Sequence, residues 1–275
     1  MILTPPVLMG ITNVTPDSFF DGGKYCEPKQ AIDRVWECVR QGADLIDLGA
    51  ESSRPGSSRI SAETEMERLR EVLIHIPHDF PLPISVDTTK SAVARFALES
   101  GVSIINDISA CRWDAEMLET ICEFKCSVIV MHMQGTPADM QINPFYEDVV
   151  EEVIEFLSNR CQVLLDAGIE SGKIWIDPGI GFGKRIEDNL KLLANIPNLR
   201  RLGRPIVIGL SNKSFLSGIL DVPISDRGAG SLAANAICAF EGADIIRSHE
   251  IRSVKQALII AEKMRNAKLA GSSRP

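Results

Sequence analysis

The stretch Leu45-Ile-Asp-Leu-Gly-Ala-Glu-Ser-Ser-Arg54 begins as a short apolar run and ends in polar and charged residues. Seven other runs share this pattern, and they lead in turn into Asn13, Asp87, Asn106-Asp107, His132, Asp177, Ser211-Asn-Lys213 and Arg247-Ser-His249. Continuous β-branched runs separated by helix-like stretches are typical of a parallel sheet buried on both faces. Eight of them predict a closed (β/α)8 TIM barrel, an α/β fold whose strand C-terminal ends face one cup. The polar endings are therefore candidate site residues.

The bulk composition favours one barrel domain over residues 1–275, with a core at about 5–265 and a disordered polar tail at 270–275. A net charge of -8 argues against nucleic acid as the main partner. The seven cysteines include no Cys-x-x-Cys pair, which favours free thiols in a reducing compartment. With no signal peptide and no long apolar segment, we expect a soluble cytoplasmic protein without a membrane partner.

Helical stripes and one internal echo support repeated strand–helix units. Gly42-Ala-Asp-Leu-Ile46 recurs as Gly242-Ala-Asp-Ile-Ile246, with a helix-ending glycine leading into a strand both times. Ser61 is a predicted N-cap of the helix that follows the second strand. Two strand-to-helix connections, at about 13–27 and 49–61, are long and rich in Gly, Ser and Pro. We interpret these loops, after strands 1 and 2, as mobile lids over the cup; decorative surface loops are the alternative.

Asp177 follows Trp175 and Ile176, so its carboxylate should be partly desolvated and should need a ligand or protein group with two hydrogen-bond donors. The alternative is that it caps the following loop. Asp87 and Asn106 end neighbouring strands and suit the rim of a flat polar heterocycle. Here the alternative is that Asp87 caps the next helix, near Thr89-Lys90.

The last two strand ends carry positive charge, where barrels often bind phosphate. Lys213 and Arg247 supply this charge, and His249 adds a hydrogen-bond donor. Asn13 offers an amide oxygen as a metal ligand, and no cluster of thiols or histidines accompanies it. Such a ligand suits Mg2+ that is shared with a substrate phosphate. His132, a single histidine in an apolar run, is either a metal ligand or a hydrogen-bonded core residue. The glycine run 179–183 lacks the spacing of a dinucleotide fingerprint.

The ordered set of motifs closely resembles the dihydropteroate synthase family over residues 5–265. The matching motifs are Asn13-Val-Thr-Pro-Asp-Ser-Phe19, Glu51-Ser-Ser-Arg-Pro-Gly56, Ser85-Val-Asp-Thr-Thr-Lys90, Ile104-Ile-Asn-Asp107, Met131-His-Met-Gln-Gly135, Asp177-Pro-Gly-Ile-Gly-Phe-Gly-Lys184, Gly209-Leu-Ser-Asn-Lys-Ser214 and Arg247-Ser-His249. The resemblance implies a transferase of folate biosynthesis. It would join 6-hydroxymethyl-7,8-dihydropterin diphosphate to p-aminobenzoate, releasing pyrophosphate and forming 7,8-dihydropteroate. It also implies a Mg2+ cofactor, a homodimer and a sulfonamide target.

The resemblance also assigns site residues. The implied pterin-binding residues are Asp87, Asn106, Met131, Asp177, Gly209, Lys213 and Arg247. The implied pyrophosphate-binding residues are Asn13, Arg54, Arg247 and His249, with Asn13 also holding the metal. The implied p-aminobenzoate-binding residues are Phe19, Ser53, Arg54, Pro55, Phe182, Lys213 and Ser214. Asp87, Arg54, Lys213 and Arg247 are the implied catalytic residues of a dissociative substitution, in which pyrophosphate leaves before the amine attacks.

Two other functions would use the same cup of strand ends. One is a methyltetrahydrofolate-dependent methyltransferase, which would lack the Ser-Ser-Arg-Pro-Gly lid and the Arg247-Ser-His249 anion pair. The other is a non-catalytic pterin-binding barrel, which the intact Asn13, Arg54, Lys213 and His249 argue against. The chain departs from the common family pattern at Ser53, Asn212 and Glu250, where threonine, arginine and aspartate are frequent.

Overall fold

A computed structural model describes residues 6–14, 28–211, 213–223 and 226–272. Eight parallel strands lie in the order β6-β5-β4-β3-β2-β1-β8-β7. The first and last strands of this order meet through a parallel bridge between Ile176 and Ile206, supported by a 2.9 Å bond from the Ile176 amide to the Pro205 carbonyl. The sheet therefore closes on itself, which confirms the predicted (β/α)8 barrel.

Each predicted apolar run forms a strand. The strands are β1 (Val7–Asn13), β2 (Leu45–Gly49), β3 (Ile84–Asp87), β4 (Ile104–Asp107), β5 (Ser127–Met131), β6 (Ile174–Asp177), β7 (Val207–Gly209) and β8 (Ile245–Ser248). The polar endings of five runs, among them Asp87 and Asp177, are the last residues of their strands or lie next to the last. This places them at the rim of the barrel, as the sequence predicted.

Helices surround the strands in alternation. They are α1 (Pro28–Gln41), α2 (Ala62–Leu73), α3 (Ser91–Glu99), α4 (Met117–Phe124), α5 (Val149–Asp166), α6 (Ile186–Ala194), α7 (Ile196–Leu199), α8 (Ser214–Leu220), α9 (Gly228–Glu241) and α10 (Ile251–Ser272). The Ser61 side chain accepts a bond from the amide of Thr64, so the predicted N-cap of α2 is confirmed. Gly42 and Gly242 both have positive φ, at 92° and 113°, directly after α1 and α9, which explains the internal echo.

The structure of the C-terminal tail differs from the prediction. The prediction of disorder over 270–275 is wrong for its first part, because α10 continues through Ser272. Residues 273–275 lie outside the described ranges. A helix can extend past its last packed turn where its backbone bonds are satisfied within the helix itself. Among the described residues, no helix has the length and apolar character of a membrane span.

Three buried apolar clusters are present in the described residues; a small one lies around Met131 at the end of β5, and the other two form the main cores of the fold. The larger lies between the sheet and the helices, and the smaller fills the barrel interior. The interior core consists of Met9, Leu45, Ile104, Ile129, Val207 and Ile245, with Val7 and Trp175 packed against it. Because this core fills the lower part of the barrel, a ligand of the barrel interior would bind above it, at the rim formed by the strand C-terminal ends.

Candidate functional site

A cavity opens at the rim directly above the interior core, and we call it the rim pocket. It is lined by Ile11, Ser53, Asp87, Asn106, Ile108, Met131, Asp177, Ile180, Phe182, Gly209, Ser211, Lys213 and Arg247. All seven residues that the resemblance assigned to pterin are in this set. The structure thus brings them to one place from six strands and the loop after β7, although the ligand roles of the individual residues stay predictions.

The alternation of side chains along a strand explains this convergence. Successive residues of a strand point to opposite faces, so a residue two positions after an interior one also points inward. Asn106 follows the interior Ile104 by two, and Arg247 follows Ile245 by two. Other residues of the pocket lining also follow a residue of the interior core by two positions in the same strand. The rim pocket is therefore the next inward layer of the same barrel.

Arg247 is held at the centre of this layer by two carboxylates. Its Nε donates to Asp47 Oδ2 at 2.6 Å, and its Nη2 donates to Asp87 Oδ2 at 3.0 Å. Asn106 Nδ2 also donates to Asp47 Oδ2, at 3.2 Å. Asp47 is fully buried, and its second oxygen has no hydrogen-bond partner among the described residues. Arg247 is thus fixed in position, because a buried charge needs charged and hydrogen-bonded partners.

Asp47 is the functional residue that the sequence predictions missed. It lies in the run Leu45-Ile-Asp-Leu48, and its charge inside an apolar strand was the available signal. It follows the interior Leu45 by two, so the alternation rule would have placed it in the barrel. Ile11, Ile108 and Ile180 also line the rim pocket without having been predicted. Ser211 lines it too; it was predicted as a candidate site residue, without a ligand.

The titration behaviour of the pocket reflects its burial. Burial raises the pKa of Asp87 to about 7; the charge of Arg247 opposes this shift and that of Asp47 adds to it. Burial lowers the pKa of Lys213 to about 8, although Asp177 raises it. The Lys213 Nζ atom lies 3.9 Å from the centroid of the Phe182 ring, a cation–π contact. Perturbed groups in a cleft are typical of a functional site.

Asp177 caps the following loop and also lines the rim pocket, while its role toward a ligand stays a prediction. Its Oδ1 accepts a bond from the Gly179 amide at 2.7 Å, so it does cap the following loop. It also lines the rim pocket. Burial raises the pKa of its carboxyl group, while Lys213, Arg247 and Lys184 lower it. The charge of the immobilised Arg247 thus acts on Asp177 across the pocket.

The glycine run 179–183 serves close packing. Gly179 has φ of 68°, and a Cβ there would collide with the carbonyl of His132. Gly181 has φ of 81°, and its Cβ would lie 3.1 Å from Cδ of Lys213. These glycines allow the β6–α6 loop to lie against the end of β5 and against the stem of Lys213.

His132 is a hydrogen-bonded core residue, and its alternative role as a metal ligand is not supported by its contacts. Its Nδ1 lies 2.9 Å from the buried Nζ of Lys184. Lys184 also donates to the carbonyls of Gly179 and Phe182, both at 3.0 Å. Burial lowers the pKa of Lys184 to about 7 and that of His132 to about 2. Lys184 thereby ties the β6–α6 loop, which carries Phe182, to β5.

Asn13 and His249 lie together at the rim, outside the lining of the rim pocket. Asn13 Nδ2 and His249 Nε2 are 3.3 Å apart, and the His249 amide donates to Ser211 Oγ at 3.1 Å. The His249 carbonyl accepts a bond from Arg34. Its buried Nδ1 has no partner in the described part of the chain. Burial, together with the charges of Arg247, Arg34, Arg54 and Lys213, lowers the pKa of His249 to about 4, so this corner is electropositive.

The loop after β2 is folded back on itself. The Ser57 amide donates to the Arg54 carbonyl at 3.0 Å, and Ser57 Oγ donates to the Ser52 carbonyl at 2.7 Å. The Gly56 amide reaches the Pro137 carbonyl at 3.0 Å, which joins this loop to the β5–α5 loop. Ser53 lines the rim pocket, whereas Arg54 is exposed. Motion of the loop stays a prediction.

The remaining predicted residues divide into two groups. Pro55 and Ser214 are exposed at the rim, Ser214 as the first residue of α8. Phe19, the rest of the first predicted lid, and Asn212 lie outside the described residues. Asp87 does not cap the following helix: the Ser91 amide at the start of α3 donates instead to Asp114 Oδ2 at 2.7 Å, so that alternative is wrong.

Comparison with known proteins identifies the chain's relatives. The model of the family described as pterin binding enzyme matches residues 9–249. A dihydropteroate synthase of Haemophilus influenzae is 38% identical over 96% of this chain and 96% of its own length. The chain belongs to the dihydropteroate synthases, within the pterin-binding enzyme family.

Solved structures of dihydropteroate synthases agree with this assignment. The Yersinia pestis enzyme, solved as a sulfonamide drug complex, superposes with a TM-score of 0.91 at 38% identity, covering 97% of this chain and 96% of that one. The Xanthomonas albilineans enzyme in complex with 7,8-dihydropteroate gives a TM-score of 0.84 at 35% identity, with 100% and 97% coverage. The pterin-binding family and its barrel are therefore shared over nearly the whole chain.

Proposed function

We propose that this protein catalyses the dihydropteroate synthase reaction, as a transferase of folate biosynthesis. It joins 6-hydroxymethyl-7,8-dihydropterin diphosphate to p-aminobenzoate and releases pyrophosphate. The observation that carries this proposal is the rim pocket, which combines Asp87, Asn106, Asp177 and Lys213 around the fixed Arg247. The Xanthomonas relative that holds 7,8-dihydropteroate supports the choice of product.

The polar edge of the pocket is suited to a pterin. The 2-amino group and ring N–H of a pterin form a pair of donors, and Asp177 supplies a carboxylate with one oxygen already oriented by Gly179. Asn106 offers a carbonyl oxygen, since its amide nitrogen is directed to Asp47. Met131 and Ile108 are buried apolar walls for the flat ring.

The charges of the site favour a dissociative substitution. The bond between the pterin methylene and the pyrophosphate oxygen breaks first, with both electrons leaving on pyrophosphate. Asp87 as a carboxylate stabilises the methylene cation, while Arg247, His249 and Arg54 are placed to attract the departing anion. The p-aminobenzoate nitrogen then attacks the methylene carbon and releases a proton. Closure of the lid loops would exclude water, which competes for the same cation.

We further propose Mg2+ as the cofactor, with Asn13 as its protein ligand. The residues fit such a site: the Asn13 amide nitrogen is directed to His249, which leaves its oxygen free for a hard cation. No cluster of three or more Asp, Glu, His or Cys in the described ranges could hold a metal alone. Mg2+ commonly keeps several waters and is shared with substrate phosphates, and when bound it would neutralise charge on the leaving pyrophosphate.

The second substrate would occupy the outer side of the pocket. Phe182 and Lys213 form the cation–π pair there, and Ser214 follows Lys213 at the start of α8. The ring of p-aminobenzoate would stack on the Phe182 ring, and its carboxylate would point toward Lys213 and Ser214. Ser53, Arg54 and Pro55 would cover it from the loop after β2.

We also infer a homodimer and a cytoplasmic location. Six of the twelve exposed large apolar side chains in the described residues lie on the neighbouring helices α8, α9 and α10. Large exposed apolar surface is typical of a protein–protein contact. The cysteines of the described ranges are free thiols, which suits a reducing compartment.

A reconstitution assay tests the reaction. The purified chain is incubated with the pterin diphosphate, p-aminobenzoate and Mg2+, and both pyrophosphate and dihydropteroate are measured. We expect equal amounts of the two products. Pyrophosphate without dihydropteroate would indicate hydrolysis of the cation, and turnover with a methyl donor instead would indicate the methyltransferase alternative. Binding of the pterin without either product would support a non-catalytic barrel.

A further inference from the structure

A second and larger cavity lies beside the rim pocket, and we call it the side cavity. It has a volume of 470 Å³ and opens between the loops that follow β2, β3, β4 and β5. Of the described residues assigned above to substrates, only Ser53 and Asp87 line it. Apart from Ser53, the described residues proposed to hold pyrophosphate and p-aminobenzoate do not line the side cavity. The side cavity is therefore space that the proposed reaction does not use.

Two arginines line the side cavity without a carboxylate partner. Arg59 Nη2 donates to Thr89 Oγ1 at 3.3 Å, and its guanidinium lies 5.4 Å from the ring centroid of Trp113. Arg112 Nε donates to the Ser109 carbonyl at 2.9 Å. In the described part of the chain, neither arginine forms an ion pair. Their charges are therefore not compensated by the protein.

The two carboxylates that line the side cavity each contact a cationic side chain. Glu51 Oε1 lies 3.0 Å from Lys90 Nζ and accepts the amide of Ile60 at 2.7 Å. Asp87 Oδ2 lies 3.0 Å from Arg247 Nη2. Each of these cations is shared with a second carboxylate, Lys90 with Glu65 and Arg247 with Asp47. Arg59 and Arg112 are therefore the charged groups of the lining that remain available to an anionic ligand.

The rest of the lining is rich in hydroxyl groups. They belong to Ser52, Ser57, Thr88, Thr89 and Thr136. Ser57 and Thr136 already donate to the Ser52 carbonyl and to Asp139. The other three hydroxyl groups and the two guanidinium groups offer more hydrogen-bond donors than one carboxylate can accept. A phosphate group has more acceptor oxygens and more charge, and it matches the planar fork of arginine.

We propose that the side cavity is a binding site for a small anion of the phosphate class, held by Arg59 and Arg112. Inorganic phosphate and the pyrophosphate released by the reaction share this chemistry. The loop after β2 contains Ser52, Ser57 and Arg59. The amide of Gly56 in this loop donates a hydrogen bond to the Pro137 carbonyl. An anion bound in the side cavity would therefore hold this loop against the barrel. Because the loop lies beside the rim pocket, the bound anion would change the access of substrates to that pocket.

Fluorescence of Trp113 provides a direct test. The full chain contains three tryptophans, so the Trp113→Phe variant identifies the part of the signal that comes from the side cavity. The chain alone is titrated separately with phosphate, pyrophosphate and benzoate, with no pterin present. We expect phosphate and pyrophosphate to change the Trp113 signal with saturation below about 10 mM, and benzoate to bind more weakly. Tighter binding of pyrophosphate than of phosphate would identify the reaction product as the ligand.

Substitution of the arginines completes the test. Arg59→Gln and Arg112→Gln should each weaken phosphate binding roughly tenfold, because each removes a charge-assisted contact. Arg95→Gln, which removes an exposed arginine paired with Glu123 on another surface, should leave it unchanged. Thermal melting checks that each variant is folded.

Two outcomes would overturn the proposal. One is an absent or unsaturated Trp113 signal. The other is the same phosphate affinity in the double variant Arg59→Gln, Arg112→Gln as in Arg95→Gln. His249→Gln alters the proposed pyrophosphate site of the reaction, and the Trp113 signal should survive it. This separates failure of the side cavity from failure of the proposed function.

Discussion

The carboxyl group of Asp87 titrates close to neutral pH in this protein. Burial raises its pKa to about 7, well above the ordinary value of 3.8, and only the partner Arg247 opposes this. The carboxylate form is the one that stabilises a methylene cation. The rate of the reaction should therefore depend on the protonation of this one residue.

We predict that kcat/KM rises with pH through about 7, because kcat/KM reports ionisation in the free enzyme. The Asp87→Asn variant should lack this rise and should lose roughly a hundredfold in kcat/KM. The measurement is a pH–rate profile. Lys213→Arg serves as the comparison: it should keep the rise but lose the decrease that deprotonation of Lys213, with a pKa of about 8, produces at higher pH.

Asp177 is predicted to govern pterin affinity. The Asp177→Asn substitution keeps the shape of the side chain but replaces one acceptor oxygen with a donor, which conflicts with the donor edge of a pterin. We expect pterin binding to weaken by about 2 kcal/mol, roughly thirtyfold, in calorimetry. Unchanged affinity would remove Asp177 from the pterin contacts.

The loop after β2 is the element that brings Arg54 to the site. Arg54 is exposed, and its charge contributes to the low pKa of His249, so it lies near the proposed pyrophosphate site. We predict that Arg54→Ala loses turnover, by roughly a hundredfold, while pterin binding is retained. Ser58→Ala, an exposed change in the same loop, is the control. Equal loss of binding and turnover would contradict the lid role.

The β6–α6 loop depends on Lys184 for its position. Lys184→Met keeps the length of the side chain but leaves the carbonyls of Gly179 and Phe182 without their donor. We expect the free energy of unfolding to fall by about 2–4 kcal/mol, measured by urea denaturation, and the KM for p-aminobenzoate to rise as Phe182 is loosened. Lys191→Met, an exposed change on α6, should stay within about 0.5 kcal/mol of the original protein.

The same variant has a pH signature. The folded pKa of Lys184 is about 7 and the ordinary value is 10.5, so the unfolded chain binds more protons between these values. The contribution of Lys184 to stability therefore rises as pH increases from about 7 toward 10.5. The stability difference between the original protein and Lys184→Met should grow over this range; a constant difference would contradict the shifted pKa.

At the scale of the whole molecule, we expect the exposed apolar residues of α9 and α10 to form a dimer interface. Ile237 and Ile260 are each 60% exposed. We predict that the chain is a dimer by light scattering and that Ile237→Glu with Ile260→Glu shifts it to a monomer. Ile142→Glu, in the β5–α5 loop where the side chain is 73% exposed, should leave the dimer intact. A monomeric original protein would refute the dimer proposal.

Much of the fold could be predicted because its signals are local. Each apolar run corresponds to a strand, and Ser61, Gly42 and Gly242 mark helix ends through their own hydrogen bonds or backbone conformation. The exposure of Ile237 was not predictable in the same way, because a helical pattern does not show whether an apolar residue meets the core or another molecule.

The sequence by itself determined the barrel, the positions of its strand ends and the family resemblance, because periodicity and motif spacing are carried by neighbouring residues. Only the tertiary structure decided which side of each strand faces inward, and so placed Asp47 beneath Arg247. It also separated the side cavity from the rim pocket. Contacts such as that between Arg247 and Asp47 join residues 200 positions apart. They exist only after eight strands close into a ring, since closure sets both the facing of each side chain and its partners.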